Sequence, residues 1–254
     1  MKRKFIVGLS TIVCILTLSQ AEISNLNDAI NKAGKQRMLS QRMMKDYSMI
    51  GIKIKFGNPK EELQKSSDLF TQTLDDLIKF TKDNKEANTE LLKVKKLWKG
   101  IQKDLLATPN KEKAAELYKS IDQLLVSAHK ATTAIATTSK VTTGEIINIS
   151  GRQRMLSQRL ASLYMLKVWG VATDDSALKK SMDEFSIAQK KLESFPKNSD
   201  EIKKALAQVK KDFMFFEVLG VSKSKKYIPS LIARSSNKIT KQMNDVTKLY
   251  VDMK

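Results

Sequence analysis

The chain has 254 residues, with 46 Lys and Arg against 27 Asp and Glu, and a formal net charge of +19. One cysteine and one histidine in the whole sequence exclude a disulfide scaffold, a thiolate metal centre and most histidine-based catalysis. So basic a chain invites nucleic acid as a partner, but its first residues point to export, where anionic small ligands, an anionic membrane surface or an acidic protein fit the charge better.

Residues 1–21 read as a signal peptide. Met1-Lys2-Arg3-Lys4 is a positive start, Phe5 to Leu18 is an apolar stretch shorter than a comfortable membrane span, and Ser19-Gln20-Ala21 supplies small residues for cleavage. The competing reading is an uncleaved anchor. Cleavage after Ala21 removes Cys14 with the leader and lowers the formal charge from +19 to +16. The expectation is a periplasmic protein, peripheral at most to the membrane, with lysines that mostly form a solvated basic surface.

The rest of the chain is rich in helix formers, and its four prolines fall at breaks between helical stretches. Helix one is expected from about Ser24 to Lys55 and helix two from Lys60 to about Thr81. Helix three is expected from about Ala87 to Leu106 and helix four from Lys111 to about Val141. Asn58-Pro59 and Thr108-Pro109 read as caps followed by proline, whose missing N–H costs nothing in a first helical turn. After Thr143-Gly144 the order repeats, with helices over roughly 145–169, 176–194, 200–219 and 227–253. The fold class is therefore all-α. Two tandem up-down four-helix modules are expected, over 22–142 and 143–254, and a pseudo-dimer of the two is one arrangement.

The repeat is most explicit at residues 34–42, GKQRMLSQR, and 151–159, GRQRMLSQR, which lie 117 residues apart from Arg37 to Arg154 and differ only at Lys35 and Arg152. Tyr47 and Tyr164 keep that spacing. Phe70, Leu77 and Phe80 match Phe185, Leu192 and Phe195, and their heptad-like spacing assigns them to bundle cores. Trp98 and the Phe213, Phe215 and Phe216 cluster are read as core in the same way.

On a helix advancing about 100° per residue, Leu39, Met43, Tyr47 and Ile50 form the face toward the module's own core. Arg37, Gln41 and Ser48 form a second stripe, which continues the apolar line of Ile23, Leu26 and Ile30. Arg154 and Gln158 lie on the matching stripe below Ile147. An arginine in a packing stripe is costly unless paired, and no acidic residue stands one turn away from either. Its partner is an external anion or a carboxylate on another helix, such as Asp75 or Asp76. Gly34 and Gly151, one turn earlier, serve a close helix approach, room for a ligand, or a local kink. Arg42 and Arg159 lie on a back face read as solvated or salt-bridged, with Asp46 in reach of Arg42.

These residues resemble a known family. Ala33-Gly34-x-x-Arg37-Met38-x-Ser40-x-Arg42 looks like the first-helix signature of the NarX-like sensor domain, which includes the N-terminal domains of type IV pilus methyl-accepting chemotaxis transducers (PilJ-type). The resemblance covers nearly all of the chain after the leader. It implies an extracytoplasmic four-helix bundle in which the motif arginine, here Arg37 and Arg154, binds an anion between paired first helices. Relatives continue into a membrane helix and an output domain. Here nothing follows Lys254, so a separate membrane receptor or signalling protein is expected to carry any signal.

If the two first helices lie side by side and parallel, the chain turns near Thr143-Gly144 and Arg37 faces Arg154. Two guanidinium groups about 6 Å apart repel by roughly 2–3 kcal/mol at an effective dielectric near 20. An anion between them relieves that repulsion. The ligand-binding candidates are Arg37, Arg154, Gln41, Gln158, Gly34 and Gly151, for a nitrate- or nitrite-like anion or a small carboxylate. The alternative to this pseudo-dimer is a homodimer. The alternative function is a structural or adaptor protein that docks on a receptor or pilus component. No cofactor, metal site or catalytic residue is expected, and His129 reads as a surface or packed residue.

Overall fold

The computed structural model describes residues 22–138, 142–220 and 227–253. The proposed leader, 1–21, lies outside the described residues. The described residues form eight α-helices and no strand: α1 (Leu26–Gly51), α2 (Pro59–Phe80), α3 (Lys85–Leu106), α4 (Lys111–Thr137), α5 (Thr142–Trp169), α6 (Asp175–Glu193), α7 (Asp200–Gly220) and α8 (Pro229–Val251). None is long and apolar enough to cross a membrane.

Local chemistry sets the boundaries. Asn25, Asn84, Asn110 and Asp174 accept hydrogen bonds from backbone N–H groups of the first turns of α1, α3, α4 and α6. Pro59 and Pro229 open α2 and α8, but Asn58 makes no side-chain cap bond, and Asn110 rather than Thr108 caps α4, which leaves Pro109 before the helix. Helix α1 stops at Gly51, short of the expected Lys55, because the chain enters a left-handed residue at Lys53 (φ 61°). Helix α4 ends at Thr137 and α5 begins at Thr142, so Thr143 and Gly144, the expected place of the turn, both lie in the first turn of α5. Glycine is cheap there, since the first N–H groups of a helix lack intrahelical partners anyway.

Each set of four helices closes into a ring. In the first, α1 packs on α2 and α4, and α3 on α2 and α4; in the second, α5 packs on α6 and α8, and α7 on α6 and α8. Phe70, Leu77, Phe185 and Leu192 are fully buried, as their spacing demands. Phe70 lies against Trp98 at 4.5 Å between ring centroids, and Phe185 stacks on Phe213 at 3.8 Å. Phe80 departs from the expectation: it is 38% exposed at the last residue of α2, while Leu77 and Thr81 on either side of it are buried. Phe195 is half-buried against Tyr250. The side chain of Phe215 lies outside the described residues.

The largest interface in the molecule joins the two rings through α1 and α5, with α8 touching α1 and α4 touching α5 on the flanks. The two helices run parallel and in register. A Cβ on Gly34 would stand 3.8 Å from the Gly151 Cα, and near the other end Gly51 lies under the ring of Trp169. Tyr47 and Tyr164 show the symmetry of the halves. The phenol oxygen of Tyr47 accepts a hydrogen bond (2.9 Å) from the N–H of Asn110 at the start of α4. That of Tyr164 accepts one (2.9 Å) from Ile228 at the start of α8.

Candidate functional site

The α1–α5 interface begins apolar and becomes polar at the duplicated motif. Ile30 and Ile147 are each 1% exposed, and Arg37 and Arg154 are also each 1% exposed. Helix geometry forces this, since the stripe that carries the isoleucines returns to the arginines two turns later. The two guanidiniums flank the glycine contact. A Cβ at Gly34 would meet the Nη2 atoms of both arginines at 3.3 Å, and one at Gly151 would meet them at 3.0 and 3.4 Å. Both glycines thus serve the close approach of two backbones and leave space that the arginine heads occupy. Both helices continue unbroken through their glycines.

Each arginine reaches across to its neighbour. Arg37 Nη2 donates to the Asn148 carbonyl (3.1 Å), and Arg154 Nη2 donates to the Asn31 carbonyl (3.2 Å). Each also uses Nη1 within its own ring of helices, Arg37 toward His129 Nδ1 (3.1 Å) and Arg154 toward the Asn244 side-chain oxygen (2.8 Å). His129 accepts through Nδ1, so the ring is neutral with its proton on Nε2. The Nε atoms of both arginines are buried without a partner. Among the described residues no carboxylate pairs with either one. Asp75, considered above as a partner for Arg37, instead pairs with Lys95 at 2.7 Å.

These two charges are poorly compensated. Burial, then the Arg154 and Arg152 charges, pull the Arg37 guanidinium down to about 9. Burial pulls Arg154 down to about 10. Burial and the Arg37 and Arg152 charges together hold His129 down to about 4, against a weaker opposing effect of Glu184. The local field is therefore positive, in a region where water cannot screen it.

The glutamines divide. Gln41 is fully buried, and neither its amide nitrogen nor its oxygen has a partner. Gln158 turns toward α8, where it donates to Thr240 Oγ1 (2.7 Å) and Asn237 (3.2 Å), leaving its oxygen unpaired. The structure thus brings Arg37, Arg154, Gly34 and Gly151 together and places the glutamines one turn further along. Other orphaned oxygens line the same polar seam, on the side chains of Asn31 and Asn148. These amide oxygens are acceptors, so a hydrogen-bond donor such as water suits them and an anion does not; in this seam only the Nε atoms of the two arginines and the amide nitrogen of Gln41 are open donors.

Sequence reasoning missed several residues here. His129 is a partner of Arg37, and Asn244 is its counterpart on α8. Gln36 and Gln153 each bind one ring together, donating to the Phe70 carbonyl (3.0 Å) and the Phe185 carbonyl (3.1 Å). Their identical place in both motif copies was the available signal. On the back face, Arg159 reaches Asp122 of α4 across the rings, and Arg152 pairs with Glu184 at 2.8 Å. Asp46, expected to pair with Arg42, pairs instead with the buried Lys45 at 3.3 Å. Among the described residues no group of three metal-ligating side chains converges.

Comparison with known proteins agrees with this architecture. Neither a curated protein nor a solved structure matches the chain. The family described as PilJ, Type IV pili methyl-accepting chemotaxis transducer N-term, matches residues 17–131 and 135–213. The two adjacent segments fit two tandem copies, one for each ring of helices. The chain belongs to the PilJ family of type IV pili methyl-accepting chemotaxis transducer N-terminal domains.

Proposed function

We propose that this protein is an exported, non-catalytic sensor that binds one small anion between Arg37 and Arg154 and presents the bound state to a membrane partner. One observation carries the reading: two guanidiniums, each 1% exposed, converge on the same glycine contact with no carboxylate for either. Unpaired charges of one sign are the least favourable content for a buried interface, and an anion turns them into its binding energy. The two modules, 22–142 and 143–254, supply one arginine each. One chain thus does what the resemblance assigns to two subunits. Ligand occupancy then biases how tightly the modules pack. The leader read from residues 1–21 supports a periplasmic location, where small anions are accessible and a receptor can read the packed state.

Calorimetric titration of nitrate, nitrite and small carboxylates into the purified protein tests this. Saturable binding of at least one anion is expected, with loss on Arg37→Ala and on Arg154→Ala. An adaptor without a ligand would show no heat with the whole panel and would capture its partner equally in anion-free buffer.

A further inference from the structure

Although the two halves repeat one order of four helices, their outer flanks differ. On one flank a groove of about 470 Å³ opens between α4 of the first ring and α5 and α6 of the second, with Arg37 among its lining residues. That volume suits a small organic ligand. On the opposite flank, where α8 faces α1, the corresponding cavity is about 190 Å³ and is lined by Arg42, Lys45 and Asp46 rather than by Arg154. Sequence changes account for the difference. The places held by Asp122, Val126, His129 and Lys130 on α4 are held by Asn237, Lys241, Asn244 and Asp245 on α8.

The large groove has a definite charge pattern. Two of its arginines are already satisfied, Arg159 by both oxygens of Asp122 and by Tyr118, and Arg152 by Glu184 at 2.8 Å. Arg37 at the floor has no carboxylate. Lys130 and Lys180 at the rim are exposed, and among the described residues neither lies within salt-bridge distance of a carboxylate, although the Lys180 charge acts on Asp174. The remaining carboxylate, Asp174, caps α6 through Ser176. Beside these cations lies an apolar wall of Leu125, Val126, Met155 and Ala177, in which Val126 is 54% exposed. A free cationic end against an open apolar wall is complementary to an amphipathic anion, not to a bare inorganic ion.

We propose that this groove binds a small organic carboxylate with an apolar body. Its carboxylate points to Arg37 and Lys130, and its apolar part lies on Leu125, Val126 and Met155. The proposal rests on the reading of Arg37 as an anion-binding residue. It adds a second, asymmetric compartment and a ligand class to the central pair. Because α4 comes from one module and α5 and α6 from the other, the bound carboxylate bridges the modules, and occupancy of groove and central pair are coupled through Arg37.

Titration calorimetry with benzoate, acetate and nitrate tests it on the purified protein. Benzoate is expected to bind about tenfold or more tightly than acetate, the difference reflecting its buried ring. Val126→Trp, at a 54% exposed position that does not disturb the core, fills the groove. It is expected to weaken benzoate at least about tenfold while leaving nitrate unchanged. Lys241→Trp at the matching place on α8 should alter neither. Benzoate that binds no better than acetate, or that ignores Val126→Trp, overturns the groove. Nitrate binding that depends on Arg154 would then still support the central pair. Benzoate binding blocked by Val126→Trp, in a protein that ignores nitrate, nitrite and acetate, would sustain the groove and overturn the central pair. A protein that binds none of the three overturns both.

Discussion

Replacing Arg37 by methionine removes the charge while keeping an unbranched chain in the same space, and the expected effect is stabilisation. The Arg37 group falls from 12.5 to about 9 on folding, chiefly through desolvation, and it remains charged at neutral pH. At about 1.4 kcal/mol per unit of pKa, carrying that charge costs the fold roughly 5 kcal/mol. Against this stand two hydrogen bonds, to His129 and to the Asn148 carbonyl, both at 3.1 Å. Their loss costs about 1.5 kcal/mol each, the low end of the range for bonds to a charged group, since His129 is partly exposed and a helix carbonyl keeps its backbone donor. The net expectation is a gain of about 2 kcal/mol, or roughly 4–8 °C in Tm for a chain of this size. Urea unfolding in a zwitterionic buffer without small anions measures it. Repulsion is mutual, so Arg154→Met should gain less in the Arg37→Met background than alone, and a double-mutant cycle returns that coupling from either side. Nitrate should stabilise the wild type and leave Arg37→Met unmoved. A loss of about 2 kcal/mol or more on Arg37→Met in anion-free buffer would refute the reasoning and make Arg37 an ordinary structural residue.

Further outcomes follow from the same geometry. Gly51→Ala would place a Cβ 2.3 Å from the Trp169 ring. Trp169 must then leave its seat, at a cost of about 1–3 kcal/mol and with a red-shifted indole emission, best read in a Trp98→Phe background. Gln41→Leu should be neutral or stabilising by urea titration, because both polar atoms of Gln41 are buried without partners. His129 is held down to about 4 in the folded protein against an ordinary 6.5. The unfolded chain therefore binds more protons between those values, so stability falls as pH drops through that window. His129→Asn, which copies Asn244, should flatten the slope in melts taken across it.

Much of this was legible in the sequence, for identifiable reasons. The starts of α2 and α8 were legible because Pro59 and Pro229 act on their own neighbours, whereas the α4 cap was misplaced at Thr108, where Asn110 two residues on does the capping. The duplicated motif and the phase of its helix separated Arg37 and Arg154 from the core-facing residues, and the structure puts both on one glycine contact. Interactions over long separations were not legible. His129 lies 92 residues from Arg37, and Asp122 lies 37 from Arg159, and no local rule connects them. Local rules also misled where competition was close. Asp46 follows Lys45 rather than the fourth-neighbour arrangement with Arg42, because burial of both Lys45 and Asp46 rewards the nearest opposite charge. Gly144 read as a breaker, yet a first helical turn tolerates it. Gln158 shares its stripe with Arg154, but the hydroxyl of Thr240 on α8 draws it away from the arginines.

The central claim is that the buried arginine pair is an anion site shared by two modules of one chain. The most direct measurement is a crystal structure of the wild-type protein grown with nitrate. The account predicts one nitrate per chain, seated at the Gly34–Gly151 contact and accepting hydrogen bonds from both Arg37 and Arg154. Density-free arginines that keep only His129, Asn148, Asn244 and Asn31 as partners, in a crystal saturated with nitrate, would contradict it.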